Sequence, residues 1–118
     1  MNQEEYLSGA RALARLVDVA LAHQGHSTVP IAELIIGLWN PEYARPDAYL
    51  LCCRLDRKHF DDVLTVMRWF RHASSVGDLD RHVPDGERKM LCLMKRFGLG
   101  PDEILDNLDR AGRYVGRP

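Results

Sequence analysis

Apolar residues in this chain recur with the period of an α-helix in six separate stretches, and none alternates as a half-buried β-strand would. Such spacing places an apolar stripe along one side of a helix, and other elements must cover that stripe. A chain of 118 residues has the length of one domain and can bury about two-thirds of its surface on folding. The sequence therefore predicts an all-α fold, a single compact domain of five or six helices spanning residues 1–118.

The stripes and the capping residues at their ends define the bounds of the predicted helices. These cover residues 3–23, 30–39, 46–55, 57–72, 86–97 and 101–111. Residues 73–85 are predicted to be irregular, and residues 113–118 to form a flexible tail. The second helix is apolar on nearly every side, so we expect it at the centre of the fold. The predicted core consists of Leu13, Val17, Leu34, Ile35, Leu38, Phe60, Leu64, Met67, Leu91, Met94, Ile104 and Leu108.

The charge balance and the cysteines narrow the class of protein. Sixteen basic and 17 acidic residues give a net charge of -1, which argues against nucleic-acid binding through a general basic field. Three cysteines, of which Cys52 and Cys53 are adjacent, make a poor disulfide framework and indicate reduced thiols. The N-terminus lacks a signal-peptide pattern, and no apolar run reaches the roughly 18 residues of a membrane span. We therefore expect a cytoplasmic protein.

No arrangement of residues matches a known catalytic pattern. His23 and His26 have a spacing that permits metal ligation, but no further ligand follows at a zinc-site spacing. Asp56, Asp61 and Asp62 are explained by helix capping and by the polar side of a helix. Neither a glycine-rich phosphate loop nor a nucleophile elbow is present. The sequence thus predicts no catalytic residue, no metal site and no cofactor.

One tryptophan does not fit its helix. Trp69 projects away from the apolar arc of helix 57–72, among polar residues. Tryptophan is enriched at the centres of protein interfaces, which predicts a partner-binding surface. A second core layer beneath the segment 73–85 would explain the same position, and both interpretations stay open. The candidate surface comprises Trp69, Asp78, Asp80, Arg81 and His82.

A second candidate surface is the acidic side of the last predicted helix. It carries Asp102, Asp106 and Asp109, which form either a solvated face or a docking site for a basic partner. Acidic rims speed encounter with basic proteins but add modest affinity. If Trp69 lies in an interface, Trp69→Ala is expected to weaken binding more than Asp106→Ala. The last two helices resemble a helix-turn-helix, but these acids would repel phosphates where a recognition helix approaches DNA.

The middle of the chain resembles a known protein family. The segments LWNPEYARPD (38–47) and LCCRLDRKHFDDVLTVMRWFR (51–71) carry the resemblance, which covers residues 11–72. The family consists of small uncharacterised bacterial proteins, often encoded in plasmids, phages and integrated elements. The resemblance implies a mobile-element setting but no functional residue.

This setting and the lack of catalytic motifs lead to the main hypothesis. By analogy with anti-CRISPR proteins, we expect a non-enzymatic inhibitor that binds a host defence complex, a nucleic-acid-handling assembly, by steric occlusion. The first alternative is a DNA-binding accessory protein or transcriptional regulator that acts as a dimer. The second is a metal-dependent or thiol enzyme. A membrane partner is not expected, and self-association is left open.

Overall fold

The fold is that of a computed structural model, which describes residues 1–23 and 25–115. Its longer helices are α1 (Gln3–Ala22), α2 (Thr28–Trp39), α3 (Ala48–Arg54), α4 (Arg57–Phe70) and α6 (Gly86–Phe97). Shorter elements are α5 (Ala73–Val76), a 3₁₀ helix (Leu79–His82) and α7 (Asp102–Leu105). Over these ranges, β structure is limited to one isolated bridge between Leu108 and Tyr114. The predicted all-α class is confirmed.

Local side-chain hydrogen bonds explain where the helices begin and end. The Asn2 side chain accepts a hydrogen bond from the Glu5 N–H at 2.8 Å, and the Glu5 carboxylate accepts one from the Asn2 N–H at 3.3 Å. This reciprocal pair is a capping box. The carboxylates of Asp47 and Asp56 cap α3 and α4 by accepting one hydrogen bond each, from the N–H groups of Leu50 and His59. Gly98 adopts a left-handed conformation with φ of 67° and ends α6.

Helices α1 and α2 form the centre of the domain. Helix α1 packs against α2, α4, α6 and the 3₁₀ helix, whereas α2 packs against α1, α3, α6 and the 3₁₀ helix. The buried residues of α2 lie on nearly all sides of it, which confirms the predicted central position. None of the described helices is long and apolar enough to cross a bilayer.

Most predicted core residues lie in the core. The fully or almost fully buried ones are Leu13, Val17, Leu34, Ile35, Leu91, Met94 and Leu108, while Leu38 and Ile104 pack against the core half-buried. The prediction is wrong for three residues of α4. Phe60 and Leu64 are half-buried outside the core, and Met67 is 47% exposed.

Helix α4 is rotated about its axis relative to the prediction. Its buried residues are Asp62, Val63, Val66 and Trp69, and its main neighbour is α1. The Asp62 carboxylate accepts two hydrogen bonds from the Arg15 guanidinium on α1, at 2.9 and 3.1 Å. Such a two-bond pair fixes both groups in one geometry. The apolar arc predicted for helix 57–72 therefore lies only partly in the interface between α4 and α1, and Phe60, Leu64 and Met67 lie on its solvent side.

The segment 73–85 is more ordered than predicted. Instead of an irregular loop, it contains helix α5 and the 3₁₀ helix. Val76 and Leu79 are both buried and fix the segment to the core, as their apolar character predicts. The 3₁₀ helix lies directly on the start of α6, because a side chain added at Gly86 would collide with the backbone of Asp80.

The predicted helix 101–111 is wrong beyond its first turn. Helix α7 ends at Leu105, and the Asp109 carboxylate accepts hydrogen bonds from the N–H groups of Ala111 and Arg113, both at 2.9 Å. A carboxylate that bonds nearby N–H groups stabilises a turn at the expense of a helix. Gly112 follows with φ of 82°, a left-handed conformation that favours glycine.

The residues predicted as a tail are held to the domain as far as they are described. Tyr114 forms the bridge with Leu108, and the Val115 N–H donates to the Asn107 carbonyl at 2.8 Å. Residues 116–118, which complete the predicted tail, lie outside the described part of the chain.

Candidate partner-binding surfaces

Trp69 belongs to a cluster of three aromatic rings between α1, α4 and the 3₁₀ helix. Its ring centroid lies 5.0 Å from that of His82 and 6.3 Å from that of Tyr6, in edge-to-face geometry. Such pairs are favourable beyond the area that they bury. Trp69 is only 3% exposed, so it is a core residue. It also lines an open groove between α1 and α4, and its contact with a partner stays a prediction.

His82 uses both of its ring nitrogens in hydrogen bonds, one to Val76 and one to Tyr6. Its Nε2 lies 2.6 Å from the carbonyl oxygen of Val76. A carbonyl can only accept, so Nε2 carries a proton and donates. In the neutral ring, Nδ1 then accepts the hydrogen bond from the Tyr6 hydroxyl at 3.0 Å. Since both nitrogens are used internally, His82 stabilises the fold and is unsuited to partner contact.

The remaining residues of the first candidate surface divide into two groups. The Asp80 carboxylate accepts a hydrogen bond from the Trp39 indole at 3.2 Å, which links the 3₁₀ helix to α2. Asp78 and Arg81 are exposed and form a loose ion pair at 3.8 Å. Exposed pairs of this kind contribute about 0–1 kcal/mol to stability. Asp78 and Arg81 are therefore the more accessible members of this predicted contact surface.

The acidic residues near the C-terminus do not form one helical face, because α7 has a single turn. Asp102 and Asp106 are exposed and remain a predicted contact surface. Asp109 instead supports the final turn. Hydrogen bonds from the backbone of Arg113 and then of Ala111 lower the pKa of its carboxyl group, helped by the charges of Arg113 and Arg88.

A different surface, which the sequence interpretation missed, lies on the solvent side of α4. Phe60 and Leu64 are half-buried and Met67 is exposed, although all three are large and apolar. Three exposed arginines and one exposed aspartate lie beside them along α4 or directly after its end. We define the α4 outer face as Arg57, Phe60, Asp61, Leu64, Met67, Arg68 and Arg71.

The missed surface left one signal in the sequence. Phe60, Leu64 and Met67 share an apolar arc with Val63 and Val66, and that arc has the width expected of a buried face. Trp69 lies outside it. Burial of Trp69 on the other side requires a rotation of the helix about its axis. This rotation exposes the edge of the arc that carries Phe60, Leu64 and Met67.

An open groove adjoins the α4 outer face. It has a volume of about 420 Å³ and runs between the start of α1 and the last turns of α4. Glu4 and Glu5 line one side, while Arg68 and His72 line the other. Its polar groups carry both signs of charge, and Glu5 already caps α1. The groove thus borders the apolar surface at Arg68 rather than forming an apolar pocket of its own.

Glu33 is an unusual carboxylate in α2. One of its oxygens, Oε1, is buried and has no hydrogen-bond partner among the described residues. Burial, and to a smaller degree the charge of Asp47, raises the pKa of Glu33. A raised pKa in the folded state means that the ionised carboxylate weakens the fold.

Glu33→Gln is therefore expected to stabilise the protein at neutral pH. The stability contributed by protonated Glu33 is present below the unfolded pKa and is lost as the pH rises through the higher folded pKa. Thermal melts should show a higher Tm for the variant at pH 7, which corresponds to a gain of about 1 kcal/mol or less in the free energy of unfolding. The difference should shrink as the pH falls through the raised folded pKa and should be nearly gone below 4.5, the ordinary value for this group. A pH-independent difference would contradict this cause.

Metal-ligating side chains are dispersed over the described residues. No three His, Cys, Asp or Glu side chains among them form a group that could hold a metal ion. Cys52 and Cys53 are exposed free thiols, and Cys92 is buried.

A comparison with protein families finds one match. A family model matches residues 10–98, about three-quarters of the chain. The chain belongs to a family of unknown function, DUF7673. The matched range includes the whole α4 outer face, whereas Tyr6, Gly9 and helix α7 lie outside it. No curated protein and no solved structure matches the chain significantly. The family's description assigns no activity, so the mobile-element setting stays a prediction.

Proposed function

We propose that the protein is a non-enzymatic protein-binding module that acts by covering a surface of its partner. The observation that supports this function best is the α4 outer face, where large apolar side chains lie on the solvent side of a helix. Grouped apolar residues on a protein surface typically mark an interaction site. Charged residues surround this group, in keeping with the usual pattern of an apolar centre and a polar rim.

Helix α4 is also a rigid support for such a surface. The Arg15–Asp62 pair and the buried Trp69 fix it to α1 from the opposite side. A backbone that is already fixed in a helix needs no further ordering on binding, which favours affinity. Partner binding on this face would leave the core undisturbed.

The finer proposal concerns the partner. Following the resemblance of residues 11–72, we propose an inhibitor of the anti-CRISPR type that blocks a nucleic-acid-handling complex by steric occlusion. The two exposed thiols of Cys52 and Cys53 suit a reducing compartment, so we propose the cytoplasm. Asp102 and Asp106 are proposed as a secondary rim that changes the salt dependence of binding.

One observation favours a second function, DNA binding by a dimer. Arg57, Arg68 and Arg71 are all exposed on the same side of α4, and arginines bind phosphates. The apolar residues between them would gain nothing from phosphates, so this function ranks second.

Affinity capture tests the proposed function. The tagged protein is incubated with bacterial lysate, and each retained protein is then purified and titrated against the untagged chain. The proposal expects a complex of fixed stoichiometry by sedimentation and no salt-dependent binding of duplex DNA at micromolar concentration. DNA binding without any protein complex would favour the second function and reject the first.

A further inference from the structure

We infer that the α4 outer face binds an acidic amphipathic helix of the partner protein, an inference that rests on the proposed function. The apolar centre supplies the first argument. Phe60, Leu64 and Met67 have the spacing i, i+4 and i+7, which places them in one stripe over two helical turns, about 10 Å long. A stripe of this kind matches the apolar side of a second helix.

The charges beside the stripe determine which charge the partner must carry. Arg57, Arg68 and Arg71 are exposed, and Asp61 is the single acid among the residues of this face. Glu4 and Glu5 lie across the groove from Arg68, whereas Arg57 and Arg71 are not among the residues that line that groove. No carboxylate among the described residues lies within ion-pair distance of these three arginines. The face is therefore basic around an apolar centre, and its complement is a helix with apolar residues flanked by Glu or Asp. Complementary charge sets specificity and encounter rate, while the apolar contacts supply most of the affinity.

The same charges disfavour a second copy of this chain as the occupant. In a two-fold antiparallel pairing of α4 centred on Leu64, Arg57 of one copy faces Arg71 of the other, and Phe60 faces Arg68. Like charges placed opposite each other at an interface are unfavourable. The face is thus poorly complementary to itself.

Nucleic acid is likewise a poorer match. Duplex DNA would satisfy the arginines but would place phosphates and water against the apolar centre, where water would otherwise be excluded. An acidic amphipathic helix satisfies both the apolar stripe and the basic rim.

Two synthetic helical peptides of about 18 residues, long enough to hold helical structure, test the inference on the intact chain. Both carry the same leucine stripe, flanked by glutamates in one and by lysines in the other. Fluorescence anisotropy of the labelled peptides measures binding at low and high salt. We expect the glutamate peptide to bind at least about tenfold more tightly than the lysine peptide, with a difference that narrows as salt rises.

Three variants locate the binding site. Met67→Lys removes an apolar contact without adding an acid and should weaken the glutamate peptide about tenfold. The double change Arg68→Glu with Arg71→Glu should weaken it similarly and reduce the salt dependence. Val29→Lys alters an exposed apolar residue of similar exposure on α2, 37% against 47%, and should leave binding unchanged. Because these side chains are exposed, thermal melts should show every variant folded.

Other results would overturn the inference in distinct ways. Equal affinity for both peptides, or unchanged binding by Met67→Lys, rejects the α4 outer face as an acidic-helix site. A dimer in sedimentation that Met67→Lys dissociates would make a second copy the occupant. Duplex DNA binding that survives Met67→Lys but not the double arginine change would make phosphate the ligand. If a captured partner binds the wild type and Met67→Lys equally, the proposed function stands and this site fails. If neither chain retains any partner, the proposed function fails.

Discussion

Replacing Trp69 with alanine is expected to lower the free energy of unfolding by about 3–5 kcal/mol, the range for large aromatic side chains in a core. The indole is almost fully buried and contacts both Tyr6 and His82. Its removal leaves a cavity where α1, α4 and the 3₁₀ helix meet. For a chain of this length the loss corresponds to a decrease in Tm of roughly 12–20 °C, measurable by circular dichroism.

Two control variants separate the causes of this loss. Met67→Ala changes an exposed residue of the same helix and should cost no more than about 0.5 kcal/mol. Trp69→Phe keeps an aromatic ring in place and removes the indole N–H, which is buried and has no hydrogen-bond partner among the described residues. Removing an unpaired buried donor offsets part of the lost packing. Trp69→Phe should therefore lower the free energy of unfolding by less than half as much as Trp69→Ala. Equal losses would contradict the packing of Trp69 described above.

Gly9→Ala is expected to destabilise the protein by about 2 kcal/mol, although alanine is normally the better helix former by about 1 kcal/mol. A methyl group at this position of α1 would overlap the Cβ, Cγ and Cδ1 atoms of Trp69. Adding a group to a filled core typically costs 1–3 kcal/mol because neighbouring side chains must move. Urea denaturation at constant m-value provides the measurement.

The same substitution should cost less when the indole is absent. In a Trp69→Ala background the overlaps with Cγ and Cδ1 are gone while the overlap with Cβ remains, so the cost of Gly9→Ala should fall below about 2 kcal/mol without changing sign. A double-mutant cycle measures this coupling directly. Additive effects of the two substitutions would show that Gly9 and Trp69 do not contact each other, and the assigned position of α4 on α1 would then be wrong.

The parts of the fold that sequence patterns predict well are the helices whose apolar pattern is compatible with one mode of burial. Helices α1, α2 and α6 begin and end within two residues of their predicted positions because their apolar patterns are clear over the whole length. In α2, an almost continuous apolar surface correctly indicates burial on all sides. Local patterns suffice here because burial is the dominant energetic term for these helices.

The orientation of α4 could not be predicted, because it depends on a residue in another helix. Hydrophobic periodicity defines an apolar arc on α4. Because that arc is wide, periodicity does not determine which of its two edges is buried. The small Gly9 on α1 makes room for Trp69, and Arg15 on α1 pairs with Asp62. Both partners lie about 50 or more residues away in sequence, beyond the reach of a periodicity argument. The α4 outer face is the direct result of this rotation.

The C-terminal turn escaped prediction for a local reason. The pattern from 101 to 111 suits a helix, but the Asp109 carboxylate competes for backbone N–H groups. Gly112 then reverses the chain against α6, where any side chain would collide with the backbone of Arg88 and Cys92. Turn chemistry of this kind outweighs helix propensity over a few residues.

The long sequence separation between α1 and its partners has a consequence for synthesis on the ribosome. The Tyr6 and His82 side chains that bond each other lie 76 positions apart. At 5–20 residues per second, His82 is added about 4–15 s after Tyr6. Helix α2 follows α1 directly and can cover one side of it early. The side that receives Trp69 stays uncovered until most of the chain has been made, so the first helix to emerge completes its packing among the last.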